Sequence, residues 1–351
     1  MSETILAQGN EAVCWGAINA GCLYFFGYPI TPQNEIPAYM AKRMPEVGGI
    51  FIQAESEIAA INMVFGAAAT GARSITSSSS PGISLKQEGI SYIAGAELPA
   101  VIVNIMRAGP GLGNIWPAQS DYFQATRGGG HGDYHCIVLA PASVQESYDM
   151  MPLAFSLADK YRNPVMILSD GMLGQMMEPL DMSQGLKVSR PQVKKPWAVT
   201  GCLGRKRNII KSFFMIEGDL EKCNLLLQKK YKAIQNKEER FEGLYLSDAK
   251  IIIVAYGTMA RITKGAVACL RKEGKKIGLI RPITLWPFPK KAFAGNISRK
   301  ARYLVTEMSY GQMLEDVQLA LNGKARVDFL GRSGGGVVSE EDIIRKIKSM
   351  K

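Results

Sequence analysis

The chain has 351 residues, of which 47% are hydrophobic and 21% charged, a length and composition typical of a soluble α/β protein with about two domains. Its net charge of +11 is uneven, because residues 1–185 carry 8 basic against 16 acidic side chains, residues 186–247 carry 14 against 6, and residues 248–351 carry 20 against 9. No apolar run reaches the roughly 20 residues that span a membrane, the N-terminus lacks a basic segment leading into an apolar one, and no nucleic-acid-binding motif accompanies the basic half, so we expect a cytoplasmic protein that binds neither membrane nor nucleic acid.

The first half of the chain alternates strand-like and helical runs, which is typical of a parallel sheet covered by helices on both faces. Apolar runs predict strands over residues 23–26, 49–53, 74–78, 100–106, 136–139 and 165–169. Helical patterns predict two helices between them, over residues 56–70 and 143–162. Thr31 and Ser56 are expected to cap helices, with Pro32 at the first helical position. These elements predict one α/β domain over residues 1–185.

Residues 186–247 do not continue this alternation of strands and helices and are predicted to form a basic, irregular connector. It contains Arg190-Pro191, Lys194-Lys195-Pro196 and Arg205-Lys206-Arg207. A helix over residues 220–240 is predicted to be a solvent-exposed amphipathic connector rather than a dedicated binding element.

A second α/β series begins at residue 248. The pattern predicts strands over residues 250–256, 277–281 and 303–306, and helices over residues 259–272 and 312–321. A last helix begins after Ser339, which is a favourable N-cap, and acidic residues follow it in the first turn. We therefore predict a second domain over residues 248–351.

Cysteine and histidine usage argues against several kinds of site. The six cysteines, at positions 14, 22, 136, 202, 223 and 269, show no clustered metal-ligand spacing, so we expect no iron–sulfur cluster and no structural zinc in this chain. Only two histidines are present, His131 and His135, and neither adjoins a serine-nucleophile motif. A Ser-His-Asp hydrolase is therefore not expected.

Three polar loops are expected at the carboxyl edge of the first sheet, where ligands bind in α/β proteins. Thr31 follows the first predicted strand, Glu57 opens the helix after the second, and Arg107 begins the glycine-rich run 107–113. An arginine there suits a substrate carboxylate, whereas the missing lysine of a phosphate-binding loop argues against a nucleoside triphosphate. Glu57 could equally serve only to complement the helix dipole. The serine-rich run 77–82 is predicted to form a tight turn at the same edge.

Several ordered motifs together carry a family resemblance. They are Gly-Tyr-Pro-Ile-Thr-Pro at 27–32, Ala-Glu-Ser-Glu at 54–57, Ser-Ser-Ser-Ser-Pro-Gly at 77–82, Gly-Ala-Glu-Leu-Pro at 95–99, Arg-Ala-Gly-Pro-Gly at 107–111, Gly-Gly-Gly-His-Gly-Asp at 128–133, and the second-half runs 278–289 and 307–313. In this combination the chain resembles the α subunit of the 2-oxoacid:ferredoxin oxidoreductases over nearly its whole length. It is most similar to the 2-oxoisovalerate type.

The resemblance implies an α/β fold made of a thiamine-diphosphate-binding, pyrimidine-type parallel-sheet domain, the basic connector, and a transketolase-C-terminal-like domain. It also implies that Glu57 is the catalytic acid, which activates the cofactor by hydrogen-bonding N1′ of its aminopyrimidine. Glu55 is the rival for that role. The position of Glu57 next to the Ser56 cap fits the family motif better.

The same resemblance implies further site residues. Pro29, Ile30 and Ser79 are expected to contribute to cofactor binding. Thr31 and Arg107 are expected to bind the substrate carboxylate. No residue of this chain is expected to bind a metal ion.

The implied reaction is the oxidative decarboxylation of a 2-oxoacid, with 3-methyl-2-oxobutanoate favoured, to an acyl-coenzyme A and CO₂, with electrons passed to ferredoxin. The chain lacks the Gly-Asp-Gly motif that holds Mg²⁺ and the diphosphate in related enzymes, since Ser169 precedes Asp170-Gly171, and it lacks clustered cysteines. We therefore expect as partners a diphosphate-binding β subunit with Mg²⁺, a γ-type subunit, and a ferredoxin-like subunit with [4Fe-4S] clusters.

Alternatives stay open from the sequence. The chain could serve a 2-oxoglutarate- or pyruvate-specific enzyme, a lipoate-linked thiamine dehydrogenase, or a complex in which it is a non-catalytic scaffold. An acid at the cofactor turn argues against a pure scaffold. The loop 128–133 could line the substrate end of the site or form a glycine-rich turn with a structural His131.

Overall fold

The computed structural model describes residues 4–183, 194–294 and 301–350. In its first part strands and helices alternate. In chain order they are β1 (Thr4–Gln8), α1 (Gly9–Asn19), β2 (Tyr24–Gly27), α2 (Glu35–Glu46), β3 (Ile50–Gln53), α3 (Glu57–Ala69), β4 (Ser74–Ser78), α4 (Ser80–Gly95), β5 (Ala100–Met106), α5 (Tyr122–Arg127), β6 (Ile137–Leu139), α6 (Val144–Tyr161), β7 (Pro164–Asp170), α7 (Gly171–Gln175) and β8 (Met177–Asp181).

The second part continues the alternation after a long helix. Its elements are α8 (Asp219–Lys237), β9 (Phe241–Leu244), β10 (Ile251–Val254), α9 (Gly257–Lys272), β11 (Ile277–Pro282), β12 (Thr284–Trp286), β13 (Arg302–Glu307), α10 (Gln312–Leu321), β14 (Val327–Gly331) and α11 (Glu340–Ser349). A short 3₁₀ turn, Lys290–Phe293, lies between β12 and β13.

A seven-stranded sheet organises the first part of the chain. Its order is β12-β6-β7-β5-β4-β2-β3, and every neighbouring pair is parallel except β12 with β6. The central strands β5 and β7 are buried along their whole length, because helices cover both faces of a parallel sheet. The carboxyl ends of β2 to β5 and of β7 consequently meet at one edge.

A second sheet of five strands has the order β14-β13-β10-β11-β9, in which only β9 is antiparallel to its neighbour. Its core packs apolar side chains of β10, β11 and β13 against α9 and α11. Strands β1 and β8 form a separate antiparallel pair. No helix in the described ranges has the length and apolar character needed to cross a bilayer.

Gln119 joins the two sheets. Its side chain is fully buried, and its Nε2 donates to the Tyr256 carbonyl oxygen at 2.9 Å while its Oε1 accepts from the Met308 backbone N–H at 3.0 Å. Its own backbone N–H donates to the Met308 carbonyl oxygen at 2.9 Å. The loop after β5 is therefore fixed to the ends of two strands of the second sheet.

Two further contacts connect the parts. Arg281, on β11, is almost completely buried and donates to Glu146 on α6 at 2.7 and 2.8 Å and to Glu242 on β9 at 2.7 Å. The Trp286 ring of β12 stacks on His135 with ring centroids 4.5 Å apart. Because β12 also extends the first sheet, the chain crosses between the two sheets twice after β11.

The sequence predicted much of this architecture. The α/β fold with a parallel first sheet is confirmed, and the predicted strands 74–78 and 100–106 coincide with β4 and β5. Ser56 and Ser339 cap α3 and α11 as predicted, since their hydroxyl oxygens each accept a backbone N–H at 3.2 Å. The domain boundary at residue 185 and the Arg190-Pro191 pair lie outside the described residues, and the domain division stays a prediction.

The predicted cap at Thr31 is wrong. Helix α2 begins at Glu35, with Asn34 in the N-cap position. The carbonyl oxygens of Thr31 and Pro32 accept side-chain hydrogen bonds instead, from Arg107 Nη1 and Asn10 Nδ2, both at 3.0 Å. Tertiary contacts therefore hold this segment outside the helix.

The predicted turn over residues 77–82 is also wrong. Strand β4 continues through Ser78, Ser79 occupies the N-cap position, and α4 begins at Ser80. Pro81 lies in the first helical turn, where its missing N–H has no intrahelical partner to lose. The connector helix 220–240 is α8, whose buried Leu227, Tyr231 and Ile234 side chains give it a packed face.

Candidate functional site

The carboxyl edge of the first sheet brings the three predicted polar loops together. Thr31 lies in the turn after β2, Glu57 is the first residue of α3, and Arg107 directly follows β5. The contact between the first and last of these is direct, because the Arg107 guanidinium donates to the Thr31 carbonyl oxygen. Pro29 is exposed and Ile30 half-buried in the same turn as Thr31.

Glu57 is a buried acidic residue whose carboxylate accepts no hydrogen bond from the described residues. Its exposed fraction is 5%, and no described residue hydrogen-bonds its side-chain oxygens. Ser56 caps α3, and its side chain already accepts a hydrogen bond from a backbone N–H of the first turn, Ala59 N–H. Part of the role that an acid in the first turn could have is therefore already filled. Its low exposure distinguishes Glu57 from an exposed residue that only complements the helix dipole.

Gly82 permits this position of the Glu57 carboxylate. A Cβ atom at Gly82 would lie 2.1 Å from Ser78 Oγ and 2.4 Å from Glu57 Oε1. The hydroxyl and the carboxylate are therefore close neighbours beside the first turn of α4. Among the residues that the structure describes, the hydroxyl groups of Thr76, Ser78 and Ser79 are buried and have no hydrogen-bond partner, so this edge presents several polar atoms that a polar heterocycle could satisfy.

Arg107 is the buried cation of the site. Its exposed fraction is 7%, and its Nη1 and Nη2 donate to the Thr31 and Leu112 carbonyl oxygens at 3.0 and 2.9 Å. Within the described ranges no carboxylate forms an ion pair with it, and its Nε has no partner. The guanidinium thus keeps its positive charge available for an anionic ligand.

A network missed by the sequence analysis fixes the backbone of Arg107. Ser80 Oγ accepts from the Arg107 backbone N–H at 3.0 Å and donates to Asp121 Oδ2 at 2.6 Å. Asn104 Nδ2 also donates to Asp121 Oδ2, at 2.9 Å. Burial raises the pKa of Asp121, and these two hydrogen bonds oppose that shift. The polar Asn104 within an otherwise apolar strand was the available signal.

Lys86 was also missed. It lies on α4 with no exposed surface, and its Nζ donates to the Glu57 carbonyl oxygen at 3.5 Å. Burial lowers the pKa of Lys86 from 10.5 to about 8, while the Glu57 carboxylate acts in the opposite direction. Lys86 could not be identified from the sequence pattern, because no helix was predicted over the residues of α4.

A cleft of about 840 Å³ opens beside Thr31. It is lined mainly by apolar side chains, which are those of Pro32, Ile115, Trp116, Pro117, Met172, Met176 and Val337. Glu35 and Gln175 supply the longer polar side chains, and no lysine or arginine of the described chain lines it. An apolar group of moderate size would fit this cleft.

The loop 128–133, which contains His131, packs against α4 and does not line this cleft. The His131 carbonyl oxygen accepts from Ser91 Oγ at 3.1 Å, and Ser91 lies about three helical turns beyond Ser80 on α4. Gly130 packs against Gln87 and Ser91 so closely that a Cβ atom would lie 2.6 Å from the Gln87 carbonyl oxygen. These contacts favour the structural interpretation of the loop 128–133.

Asp170 serves as a helix cap. Its Oδ1 accepts from the backbone N–H groups of Met172 and Leu173 at 3.0 and 3.2 Å. Burial raises the pKa of this carboxyl, and its hydrogen bonds oppose the shift. Across the described residues no group of three or more His, Cys, Asp or Glu side chains is arranged to hold a metal ion.

Comparisons with known proteins agree with this arrangement. Residues 15–201 match the family described as "Pyruvate flavodoxin/ferredoxin oxidoreductase, thiamine diP-bdg", and residues 249–343 match "Pyruvate:ferredoxin oxidoreductase core domain II". The chain is 51% identical to the ketoisovalerate oxidoreductase subunit VorB of Methanothermobacter marburgensis, over 99% of this chain and 98% of the relative. It is 37% identical to the 2-oxoglutarate synthase subunit KorA of Methanothermobacter thermautotrophicus, over 100% of both.

A solved structure gives the same result in three dimensions. The 2-oxoglutarate:ferredoxin oxidoreductase from Magnetococcus marinus, with 2-oxoglutarate, coenzyme A and succinyl-CoA bound, matches with a TM-score of 0.87 at 27% identity. The match covers 98% of this chain and 65% of that chain.

The glycine at position 82 provides a first test of the site. Gly82→Ala should lower the melting temperature and weaken thiamine diphosphate binding in the assembled complex, because the new methyl group would displace Ser78 Oγ or the Glu57 carboxylate. Gly66→Ala is the matched control, since nothing lies within 4 Å of its Cβ position in α3. Alanine there should stabilise the chain by about 0.5–1 kcal/mol. Equal melting temperatures for the two variants would contradict the close packing around Gly82.

Proposed function

We propose that this chain, which belongs to the family of 2-oxoacid:ferredoxin oxidoreductases, is the subunit that activates thiamine diphosphate for the oxidative decarboxylation of 3-methyl-2-oxobutanoate. The products would be an acyl-coenzyme A and CO₂, with electrons passed to ferredoxin. The family and the oxidoreductase class predicted from the motifs are confirmed. The observation that carries the mechanistic proposal is the buried Glu57 side chain, which forms no ion pair among the described residues, at the edge of a thiamine-diphosphate-binding domain.

The polar atoms at this edge suit an aminopyrimidine. Glu57 would hydrogen-bond the N1′ ring nitrogen and exchange a proton with it, which is the role of a general acid placed in a site closed to water. Ser79, whose hydroxyl has no partner within the described ranges, would donate to or accept from the same ring, and Pro29 and Ile30 would contact it from the turn after β2. When bound, thiamine diphosphate supplies the carbon nucleophile and the electron sink that decarboxylation requires.

Arg107 and Thr31 would bind the carboxylate that all 2-oxoacids share. The guanidinium is held by two backbone carbonyl groups, so it is already oriented before a substrate arrives. Fixing the cation in advance reduces the ordering that substrate binding must otherwise bring about. The Thr31 hydroxyl accepts from Asn34 Nδ2 at 3.1 Å and donates to no group in the described part of the chain, which leaves its own hydrogen available to a substrate oxygen.

The adjacent cleft favours a branched alkyl substrate. Its walls are apolar apart from Glu35 and Gln175, and Glu35 would repel a second carboxylate such as that of 2-oxoglutarate. The 51% identity to a ketoisovalerate oxidoreductase subunit, against 37% to a 2-oxoglutarate synthase subunit, points the same way. A 2-oxoglutarate- or pyruvate-specific enzyme is the second candidate. The interpretation of the chain as a non-catalytic scaffold does not account for the buried Glu57 carboxylate.

We place the remaining chemistry on partner chains. The relatives are subunits of larger enzymes by name, and the best internal candidate for a metal ligand, Asp170, already caps α7. Mg²⁺ and the diphosphate would therefore be held by a β subunit. The [4Fe-4S] clusters would lie in a ferredoxin-like subunit, with a γ-type subunit completing the complex.

Reconstitution tests the function directly. The purified chain should bind thiamine diphosphate weakly and should not reduce viologen dyes, whereas adding the partner subunits should give coenzyme A-dependent dye reduction. Branched 2-oxoacids should give a higher kcat/KM than 2-oxoglutarate, because one methylene in an apolar pocket is worth roughly 10- to 200-fold and a charge mismatch more. Tight Mg²⁺-dependent binding of the cofactor to this chain alone, or a preference for 2-oxoglutarate, would contradict the proposal.

Glu57→Gln tests the acid. The variant keeps the shape of the side chain but cannot exchange a carboxyl proton, so kcat of the reconstituted complex should fall by roughly 10²- to 10⁴-fold. Stopped-flow measurement of dye reduction under saturating substrate gives this rate. Glu55→Gln, at an exposed position two residues earlier, is the control and should keep the wild-type rate. The reverse pattern would transfer the catalytic role to Glu55.

Arg107→Met tests the carboxylate site. The apparent KM should rise for every 2-oxoacid, since a charge-assisted hydrogen bond is worth roughly 1.5–3 kcal/mol, while thiamine diphosphate binding stays largely intact. Steady-state kinetics with several 2-oxoacids and a separate cofactor titration distinguish the two effects. Arg127→Met, which removes a half-exposed arginine paired with Asp316, should leave KM unchanged. Lost cofactor binding with an unaltered KM would assign Arg107 to the cofactor or to a subunit contact.

A further inference from the structure

Residues 203–226 of the connector expose many large apolar side chains. Eight of them are at least half exposed, and they are Leu203, Ile209, Phe213, Met215, Ile216, Leu220, Leu225 and Leu226. These eight side chains form the connector face. Single exposed apolar residues are common on monomeric proteins, whereas an extended apolar patch marks a site of interaction. The connector face therefore requires an explanation beyond the packing of this chain.

The segment that carries the first part of the connector face is packed against the folded domain. Exposed and half-buried residues alternate over residues 209–215. Of the half-buried ones, Ile210 packs against the apolar core. Ser212 adjoins the end of α4, since a Cβ atom at Gly95 would lie 3.4 Å from the Ser212 side chain. The exposed apolar side chains between them are therefore presented by a segment that is anchored on its other side.

Two grooves join this segment to the start of α8. Phe213 and Leu220 line a groove of about 380 Å³, and Leu220 and Leu225 line a second groove of about 460 Å³. Both grooves are also lined by Asp133 and Asn224, so they adjoin each other. Phe213, Leu220 and Leu225 consequently belong to one surface, and apolar side chains of another protein would fit its grooves.

The same surface is basic. Residues 203–216 carry no acidic side chain and four basic ones, Arg205, Lys206, Arg207 and Lys211. All four are exposed, and no carboxylate of the described residues forms an ion pair with any of them. Charged residues around an interface choose the partner because opposite potentials attract and like charges repel. A partner that presents carboxylate groups around apolar side chains would therefore be complementary to the connector face.

We propose that the connector face binds a partner chain of the enzyme complex, through a surface of that chain on which acidic residues surround apolar ones. Phenylalanine, methionine and arginine, which the connector face and its surroundings contain, are enriched in protein interfaces. Nucleic acid would match the positive charge, but its phosphate backbone has no counterpart for eight large apolar side chains. The inference rests on the proposed function only for the existence of partner chains.

Carbodiimide cross-linking of the reconstituted complex tests this contact. The reagent couples a lysine amine to a carboxyl group as an amide and is itself converted to a urea by the water released, so only groups already in contact become joined. Mass spectrometry should find Lys206 or Lys211 joined to an aspartate or glutamate of a partner chain. Cross-links from these lysines to a second copy of this chain alone, or none at all, would overturn the proposal.

Leu225→Glu tests the apolar part of the surface. The Kd between this chain and its partner should rise about tenfold or more, because a carboxylate would replace an apolar contact and face acidic groups. Leu319→Glu is the matched control, since Leu319 is 64% exposed and Leu225 65%, but Leu319 lies on α10. Both side chains are exposed, so circular dichroism should show the same melting temperature for the two variants. Equal, unaltered Kd values would overturn the proposal.

The position of the connector face separates this proposal from the proposed function. Gly95, beside Ser212, is the last residue of α4, and the candidate site lies at the first turn of that helix, about 20 Å away. A wild-type complex that assembles without catalysing the reaction, but that Leu225→Glu weakens, would refute the proposed reaction and support this contact. An active complex that Leu225→Glu leaves unchanged would refute the contact alone. A wild-type chain that binds no partner would refute both.

Discussion

The parallel pairing of β2, β4 and β5 is the constraint on which the site depends. Parallel strands all end at the same edge, and the register pairs Tyr24 with Ser74 and Ile75 with Val101. The segments that leave this edge carry the Thr31 turn, the start of α4 and Arg107. Backbone hydrogen bonds are satisfied within the sheet, whereas the side chains beyond its end are free to meet a ligand. Polar residues that are far apart in the sequence therefore lie together at one edge of the sheet, without a dedicated binding module.

The second sheet fixes this edge in place. Gln119 ties the loop that follows Arg107 to Tyr256 and Met308, and Arg281 connects α6 with two strands of the second sheet. A loop rich in glycine would otherwise sample many conformations, at a cost to any ligand that must order it. The second part of the chain therefore contributes to the site by rigidity, even though the named polar groups lie in the first part.

Buried charged side chains in the scaffold and in the candidate site differ in the partners that they have. Glu307 is buried, yet its carboxylate accepts from Ser309 Oγ at 2.7 Å and from the Met313 backbone N–H at 3.0 Å. Burial raises the pKa of Glu307, and those hydrogen bonds oppose the shift. Glu57, Lys86 and Arg107 are also buried, yet none of them forms an ion pair among the described residues. Unsatisfied buried charge costs stability, so its concentration at one sheet edge is the physical mark of a functional site.

The sequence by itself determined the family, the alternation of elements, and the caps at Ser56 and Ser339, because these depend on residues close together in the chain. Its motifs also placed Glu57 and Arg107 at the correct edge. Only the tertiary structure decided that residues 77–82 split between β4 and α4, that β12 joins the first sheet, and that the buried Lys86 ammonium reaches the Glu57 backbone carbonyl oxygen. Serines and a proline have weak preferences for strand or helix, so packing against distant segments fixes their conformation. A buried lysine likewise becomes visible only when two helices are brought into contact.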